Sequence, residues 1–544
     1  MKKDLVSGKK GLFDLSVLEG LELLLEKNSD LSKLPVHPLF VTLKNMSPEE
    51  VSIYLPKLNK RQRTSFLDLD IWNRDELDFN SFGFWVTAYS NCIDENVKLE
   101  FSTGPHFSLF LKSKFNIWTF DLDEPEYPDH DNYFITEDNQ LLFEFDKDFP
   151  YFEEVRTFVK DLYTNLGVEN AYSHLFKIVS ETHSNITEEE YHFKKERLRD
   201  LGFLDYFESL ALESPLPTLN LVDSFILKKK GITGEIGKVA KTQTLPKNAL
   251  VSFEDSSEDI MRELGKIEDE KRRDFLKFNF IRLINSVNTV NGSLKSDSLS
   301  LSNSARRVRS LIEIGFEYIR EKRPENSLFD IFGFEDLYKV GLSLIRINQK
   351  NLKNALKKFN IEDSDSFLGA HFLGFLENSF DDNLKFNGEK INSLEIYKKW
   401  IIESGLFMDL LPFISKFHEV HKEMISSGAI QDSYYLNYTK EEMDFEVLLI
   451  SCFANYLLGY LDSPKNKKLG ISIPDAKKFF NEVVGQPGIS KRLEDFLSSF
   501  GLGQISRMSL YLNKVLKDHL EGIDLNTLDP SDFKHVGGPV ILNL

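Results

Sequence analysis

The chain has 544 residues, of which 41% are hydrophobic and 28% charged, so it can bury several cores and is not a disordered sequence. Its formal net charge of −19 argues against an extended surface for nucleic acid or anionic membrane, because such a surface needs clustered Lys and Arg. Cys92 and Cys452 are the only cysteines, which argues against a disulfide framework and a cysteine-based zinc site and favours a cytoplasmic location.

The N-terminal segment predicts an amphipathic helix and not a secretion signal. Acidic residues interrupt its apolar part, no small-residue cleavage site follows, and the apolar residues between Val17 and Leu25 recur at helical spacing. The most apolar stretch of the chain, residues 445–461, is shorter than the roughly 20 residues that span a bilayer and contains Glu446 and Asn455. It therefore predicts a buried helix, and we expect no membrane insertion.

Residues 1–114 predict an array of short helices joined by tight turns. Three capping-box patterns mark helix starts: Ser47 with Glu50, Asn59 with Gln62, and Asn73 with Glu76. "FNSFGFWVTAYSNC", residues 79–92, follows the third pattern and predicts another helix. The fold class that these signals favour is mainly all-α, with helical hairpins in two halves of the chain.

The stretch "TSFLDLDIWNRDELD", residues 64–78, concentrates acidic and aromatic residues. On a helix, Asp68 and Asp70 lie about 200° apart around the axis, so we expect their carboxylates not to converge on one ion. Asp75 and Glu76 are predicted to stabilise the start of the next helix through its dipole. Trp72 is predicted to anchor the corner of a hairpin.

Residues 115–145 predict a small β-hairpin element of two or three strands, from "FNIWTFDL" (115–122) and "QLLFEF" (140–145). The loop between them is acidic and could supply oxygen ligands to a divalent cation. The candidate ligands are Asp121, Asp123, Glu126, Asp129 and Asp131. A calcium loop would need a different pattern, however, because Pro125 and Asn132 stand at positions where that loop requires other residues. A solvated acidic loop is the alternative.

The pattern divides the chain into six regions. They are helical hairpins (1–114), a β element with the acidic loop (115–150), a helical region (151–227), a linker with long loops and one helix at about 259–288 (228–304), a C-terminal helical domain (305–522) and a tail (523–544). Thr187 with Glu190 predicts a helix start inside the third region, and the Ser-rich segment 288–304 predicts a loop.

Two further motifs approach known sites without matching them. "GITGEIGKV", residues 231–239, resembles a phosphate-binding loop, but five residues separate Gly231 from Gly237, and Val239 follows Lys238 where Ser or Thr is needed. A flexible loop is the alternative. "HEVHKE", residues 418–423, spaces His418 and His421 three apart, whereas the zinc-protease helix spaces them four apart. A surface helix face is the alternative.

Five segments together resemble an uncharacterised bacterial family, from about residue 35 to the C-terminus. They are "PLFVTLKNMSPEEVSIYLPKLNKRQRTSFLDLDIWNRDELD", "YFITEDNQLLFEF", "ERLRDLGFLDYFESLALESPL", "DLYKVGLSLI" and "DFEVLLISCFANYLLG". The resemblance implies no activity, cofactor or catalytic residue. Residues 38–78 are also similar in rhythm to the helical N-terminal domain of magnesium transporters.

These patterns favour a scaffold, adaptor or regulator that binds another protein, since helical hairpins offer extended surfaces and recognisable catalytic motifs are missing or spoiled. We expect no cofactor and no enzyme activity. The surfaces predicted to bind the partner are the corner around Trp72 and Trp85 and the acidic loop 121–131. The alternatives are a sensor that responds to a divalent cation or a nucleotide, using the acidic loop or Lys238, and an enzyme of a type that these motifs do not reveal.

Overall fold

The computed structural model describes residues 13–26, 31–32, 34–73, 76–230, 258–324, 328–381, 383–460, 469–485, 489–499, 508–520 and 537–543. The chain forms two compact units: unit 1 holds residues 1–216 and 220–342, and unit 2 holds residues 217–219 and 343–544. Helices dominate both, and the sheets are small and antiparallel. The prediction of a mainly all-α fold with a small β element is therefore confirmed.

Unit 1 begins with short helices and one hairpin, each strand of which is two residues long. They are α1 (Leu15–Glu26), α2 (Val36–Lys44), α3 (Pro48–Tyr54), α4 (Lys60–Asp70), β1 (Trp72–Asn73), β2 (Glu76–Leu77), α5 (Phe79–Ser90), α6 (Glu95–Ser102) and α7 (Pro105–Lys114). The capping boxes that start α3 and α4 are both present, as predicted. The third box is wrong, because Asn73 and Glu76 pair across the hairpin and Asp78 caps α5 instead.

The β element contains three strands, β3 (Phe115–Thr119), β4 (Tyr133–Ile135) and β5 (Leu141–Phe145). The central strand is β5, which pairs antiparallel with both neighbours. The turn before β5 passes through Asn139 at φ 55°, a left-handed conformation that Asn tolerates better than most residues. The acidic loop 121–131 connects β3 to β4.

The next helices of unit 1 are α8 (Phe152–Leu166), α9 (Val168–Ser180), α10 (His183–Asp200) and α11 (Tyr206–Leu212). The predicted helix start at Thr187 is wrong, because Thr182 caps α10 by accepting a hydrogen bond from the backbone N–H of Asn185 at 3.3 Å. Thr187 lies inside the helix, where its hydroxyl donates to the carbonyl of His183. Glu190 therefore does not cap the helix, and its side chain is buried.

Unit 1 continues with α12 (Leu219–Lys228), α13 (Glu258–Gly265), α14 (Glu270–Val290), α15 (Ser298–Lys322), α16 (Leu328–Ile331) and α17 (Phe334–Phe359). The last part of α17, residues 343–359, belongs to unit 2. The predicted loop 288–304 is largely helical, because α14 extends to Val290 and Asp297 caps α15. The helices α15 and α17 cross at Gly315 and Gly341. A Cβ at either glycine would lie within 2.0 Å of a carbonyl oxygen on the facing helix, so only glycine permits this approach.

Unit 2 contains α18 (Gly369–Phe380), β6 (Lys385–Phe386), β7 (Glu389–Lys390), α19 (Leu394–Ser426), α20 (Phe445–Leu457), α21 (Ile473–Gly485), α22 (Ile489–Ser499) and α23 (Met508–Leu520). The helix predicted from the most apolar stretch is α20, and most of its side chains are buried. Near the C-terminus, Leu542 bridges to Ile471. Within the described residues, no helix combines the length and the apolar character that crossing a membrane requires.

Candidate functional site

Helix α4 buries two carboxylates. Asp68 is 1% exposed and Asp70 is 0% exposed, and both lie in the last turn of this amphipathic helix. Burying a neutral polar group without a hydrogen bond costs of order 2–7 kcal/mol, and burying an ionised carboxylate costs at least several kcal/mol of hydration free energy. Each of the two carboxylates must therefore have strong partners. The two side chains leave the helix on different sides, as their predicted angle around the helix axis implies, so their carboxylates have different partners.

Asp68 belongs to a network of four side chains from three helices. From α10, Arg197 donates to both carboxylate oxygens, at 2.8 Å from Nε to Oδ2 and 2.7 Å from Nη2 to Oδ1. From α7, Nε2 of His106 lies 2.8 Å from Oδ1 of Asp68 and 3.4 Å from Oε1 of Glu190. Arg197 also donates to Glu190, two helical turns before it on α10. A fork-shaped guanidinium suits this arrangement, because it can bond two carboxylates at once.

The electrostatics of the network favour the ionised form of Asp68. Burial raises the pKa of Asp68, but the hydrogen bonds from Arg197 and His106 outweigh burial, so the pKa lies below its ordinary value. Burial lowers the pKa of Arg197, and its bonds to Asp68 and Glu190 more than reverse that effect. The network therefore holds permanent opposite charges in a buried position.

The same side chains have the composition of a metal site. One ligand atom each from Asp68, His106 and Glu190 lies within 4.8 Å of the others, and all three residues are buried. A His and two carboxylates suit a transition-metal ion. However, the guanidinium of Arg197 already occupies the side of both carboxylates that a cation would take. The arrangement would hold a divalent ion only after Arg197 moved away.

Asp70 is compensated by a second set of groups. Lys44 Nζ lies 2.5 Å from Oδ2, and the indole N–H of Trp85 donates to the same oxygen at 2.8 Å. Lys295 Nζ lies 3.4 Å from Oδ1 and also donates to the backbone carbonyl of Asp70. The segment around Lys295 is thereby fixed against the end of α4.

A cavity of about 710 Å³ lies beside Asp68, within unit 1. Its wall is formed by the end of α4, β1, one face of α10, the segment 203–208 at the start of α11, and residues between 289 and 295. The wall is rich in aromatic side chains, including Trp72, Tyr191 and Phe207. Asp68 also contributes to it, so the buried network borders the cavity.

The aromatic wall contains one unsatisfied donor. Trp72 is 4% exposed, and its indole N–H finds no acceptor among the described residues. Its ring meets that of Tyr191 edge-to-face at a centroid distance of 5.6 Å. The ammonium of Lys194 lies over both rings, 4.6 Å and 4.8 Å from their centroids. The ammonium of Lys194 therefore lies against the aromatic part of the wall.

The structure places the predicted metal ligands of the acidic loop on the surface. Asp121, Asp123, Glu126, Asp129 and Asp131 are all exposed. Asp121 accepts a hydrogen bond from the backbone N–H of Asp123 at 2.9 Å, which shapes the local turn. In the part of the chain that the structure describes, the loop contributes no residue to a cluster of metal-type ligands. Its metal role stays a prediction.

The predicted partner-binding tryptophans are both buried, Trp72 at 4% exposure and Trp85 at 1%. Trp72 lines the cavity and Trp85 holds Asp70, so the structure brings the two to neighbouring places with different roles. Their contact with a partner protein stays a prediction. The motif 231–239 with Lys238 lies outside the described residues.

The "HEVHKE" histidines lie on α19, where both rings stack on Phe367. The interpretation of a surface helix face is wrong for His421, which is 7% exposed and whose pKa is lowered by burial. His421 thus lies against the core, where its ring stacks on Phe367.

Sequence reasoning missed His106, Glu190 and Arg197. The spacing of Glu190 and Arg197, seven residues or two helical turns, places both on one face of α10 and was an available signal. It was hidden because Glu190 also fits a capping box. No sequence signal links His106 on α7 to Asp68 on α4, since their proximity arises only from packing.

Comparison with known proteins gives one match. No curated protein and no solved structure matches this chain. The family model described as "Family of unknown function (DUF6178)" matches residues 21–387, a range that includes the Asp68 network and the whole cavity wall. This match spans most of the 544 residues, and the chain belongs to that family.

Proposed function

We propose that this protein binds a small organic molecule in the unit 1 cavity. The observation that supports the proposal is an aromatic cavity of about 710 Å³ whose lining includes Trp72, Tyr191 and Phe207. Ligand sites in proteins are typically clefts of roughly 300–1,000 Å³ with apolar walls and a few polar groups.

Binding, and not catalysis, is the role that the polar groups of the wall favour. The carboxylate of Asp68 is held on both oxygens by Arg197, and a general base needs a lone pair that can reach a substrate proton. Such a fixed network holds the helices that form the wall in constant relative positions. The proposal is nearest to the sensor alternative, with an organic molecule in place of a divalent cation or a nucleotide.

The test is direct binding of N-phenylnaphthylamine, an uncharged dye that fluoresces in apolar cavities. We expect one dye to bind per chain. The variant Leu198→Trp should abolish binding, because Leu198 lines the cavity and the larger ring fills it. The control is Leu210→Trp on α11, an exposed site, which should bind like the unmodified protein. Equal binding by the two variants would contradict a ligand site in this cavity.

A second candidate function is binding of a basic protein partner through the acidic loop 121–131. The observation that favours it is the exposure of apolar side chains within the loop, since Leu122 is 60% exposed and Tyr127 is 55% exposed. Apolar residues surrounded by carboxylates suit a partner that offers both apolar contacts and Lys or Arg. We propose the cytoplasm as the place of this interaction, because Cys92 and Cys452 are free thiols.

Affinity capture from the lysate of the source cells tests this second candidate. We expect deletion of residues 123–131, and more selectively Tyr127→Ser, to remove a stoichiometric partner. Val168→Ser is the matched control, because Val168 is also an exposed apolar residue of unit 1, at 58%, but lies outside the loop. A partner that is retained by the deletion would contradict binding through the loop.

A further inference from the structure

We infer that the cavity of unit 1 takes an uncharged aromatic molecule and excludes organic ions of similar size. This inference rests on the proposed function and adds the chemical class of the ligand. A charged group that enters a cavity loses hydration, so it binds only where the wall offers an opposite charge in return. The arrangement of the charged side chains in the wall therefore decides which ligands can bind.

At the start of α11, the acidic side chains of the wall are matched by cations of the protein itself. Nζ of Lys195 lies 2.5 Å from Oδ2 of Asp205, a residue that also caps α11. The carboxylate of Glu208 pairs with Arg199. A cationic ligand would have to break one of these ion pairs in order to reach a carboxylate.

The acidic side chains on the opposite part of the wall are matched in the same way. Asp68 accepts hydrogen bonds from Arg197 at both carboxylate oxygens. Asp78 caps α5, and Nζ of Lys295 lies 3.8 Å from its Oδ2. These two carboxylates are therefore also neutralised from within the chain.

The cationic side chains of the wall have partners as well. Lys195 pairs with Asp205, and Nζ of Lys295 lies 3.4 Å from Oδ1 of Asp70. The ammonium of Lys194 lies over the rings of Trp72 and Tyr191, in a cation–π arrangement. Among the residues that the structure describes, each charged side chain of the wall thus interacts with another group of the chain. An anionic ligand would have to compete with those groups.

The apolar part of the wall favours an aromatic ligand. Four aromatic residues besides Trp72 line the cavity: Tyr191, Phe203, Tyr206 and Phe207. Phe207 is 78% exposed, so it lies at the opening of the cavity, where its ring meets that of Tyr206 edge-to-face at a centroid distance of 5.6 Å. Aromatic rings attract one another in edge-to-face and offset-stacked geometries. An aromatic ligand can therefore bind here without a charge.

The experiment compares two dyes with the same ring system. N-phenylnaphthylamine carries no charge, and anilinonaphthalene sulfonate carries one negative charge. Both are titrated by fluorescence into the full-length protein. We expect the neutral dye to bind at least about tenfold more tightly, because the sulfonate would lose hydration without gaining an unmatched cation.

The variant Asp205→Asn tests whether internal pairing causes this preference. Asn keeps the cap of α11, whereas Lys195 loses its nearest counter-charge. We expect the affinity for the sulfonate dye to rise about fivefold and that for the neutral dye to stay within about twofold, which also shows that the variant is folded. The control is Glu395→Gln in unit 2, which removes a negative charge from an exposed ion pair with Lys399 and should leave both affinities unchanged.

The variant Phe207→Ser tests the aromatic contact. It should weaken binding of the neutral dye about fivefold, because the ring at the opening is lost. The control is Leu210→Ser, which removes another exposed apolar side chain of α11 and should leave the affinity unchanged. Equal affinities in the two variants would overturn the aromatic part of the inference.

The remaining outcomes separate the inference from the proposed function. If the sulfonate dye binds as tightly as the neutral dye and both are lost in Leu198→Trp, the cavity is retained as a ligand site and the exclusion of ions is rejected. A sulfonate affinity that Asp205→Asn does not raise would also overturn the inference. Binding of neither dye, or binding that Leu198→Trp does not change, would reject the cavity as a ligand site together with the inference.

Discussion

Unit 1 and unit 2 each bury a carboxylate network, and the two networks neutralise their charge in different ways. In unit 1, Asp68 and Glu190 are matched by Arg197, whose guanidinium stays charged at any pH that a folded protein meets. In unit 2, the buried carboxylate is Glu446, which is 3% exposed and lies in the first turn of α20. Its side-chain partner is a histidine, which loses its charge near neutral pH.

The surroundings of Glu446 contain more acids than permanent cations. Oε1 accepts from the backbone N–H of His371 at 3.2 Å, and Oε2 lies 3.8 Å from Nε2 of His519. The facing carboxylate of Glu446 raises the pKa of His519. Burial, with a smaller contribution from Glu446, raises the pKa of Asp444 to about 6, although the backbone N–H of Val447 bonds its carboxylate and opposes the shift.

Because their counter-charges differ, the two networks should respond differently to pH. The pKa of Asp68 is lowered, so its contribution to stability is complete above its unfolded value of about 3.9 and is lost only in stronger acid. The pKa values of Asp444 and His519 are raised, so their contributions are present at low pH and are lost as the pH rises through the folded values. Between about pH 5 and pH 8, we therefore expect Asp68 to keep its charge, whereas the charges of the unit 2 network change.

The largest expected effect comes from removing the permanent cation. Arg197→Met leaves Asp68 and Glu190 buried without their counter-charge, and we expect a loss of about 3–5 kcal/mol in the free energy of unfolding of unit 1. The control is Arg199→Met on the same helix, where the ion pair with Glu208 is exposed and should contribute about 0–1 kcal/mol. Urea denaturation followed by hydrogen exchange of α4 and α10 measures both. Similar losses in the two variants would contradict the role given to Arg197.

An intermediate effect is expected at Asp444. At neutral pH the buried carboxylate ionises against a pKa of about 6, so the variant Asp444→Asn, which keeps a capping side chain, should stabilise α20 by on the order of 2 kcal/mol. Below about pH 3 the gain should vanish, because Asp444 is then protonated in both the folded and the unfolded state. Hydrogen exchange of residues 445–457 at several pH values provides the measurement. A gain that is the same at all pH values would show that ionisation is not its cause.

The smallest expected effect is at His519. His519→Gln should lower the stability of unit 2 by about 1 kcal/mol near pH 5.5 and by almost nothing near pH 9, since the ion pair with Glu446 exists only while the imidazole is protonated. His192→Gln is the control, because that histidine is exposed on α10. A loss of stability that is larger at pH 9 than at pH 5.5 would contradict the pH dependence assigned to this ion pair.

Local signals made much of the fold predictable. The capping hydrogen bonds of Ser47 with Glu50 and of Asn59 with Gln62 each join residues three apart. The strands β3 and β5 are short runs rich in apolar residues, and β5 directly follows a turn. Competing local signals produced the errors. Thr187 and Glu190 fit a capping pattern, but Thr182 provides an earlier cap and packing requires Glu190 in the core.

The candidate site was far less predictable, because it depends on packing between distant segments. Asp68 and Arg197 are 129 residues apart, and Lys295 reaches Asp70 over 225 residues. The sequence contains no periodicity that joins these positions. Only the angle between Asp68 and Asp70 on α4 could be foreseen, and it separates the two networks as observed.

The central claim is that a ligand occupies the cavity beside Trp72. The most direct test uses the indole N–H signals of the four tryptophans in a ¹⁵N-labelled sample, with the Trp72 signal assigned from Trp72→Phe. Trp400 is the internal reference, because its indole N–H donates to Ser379 Oγ in unit 2. We predict that saturation with N-phenylnaphthylamine shifts the Trp72 signal and leaves that of Trp400 in place. Bound dye with an unmoved Trp72 signal would contradict the claim.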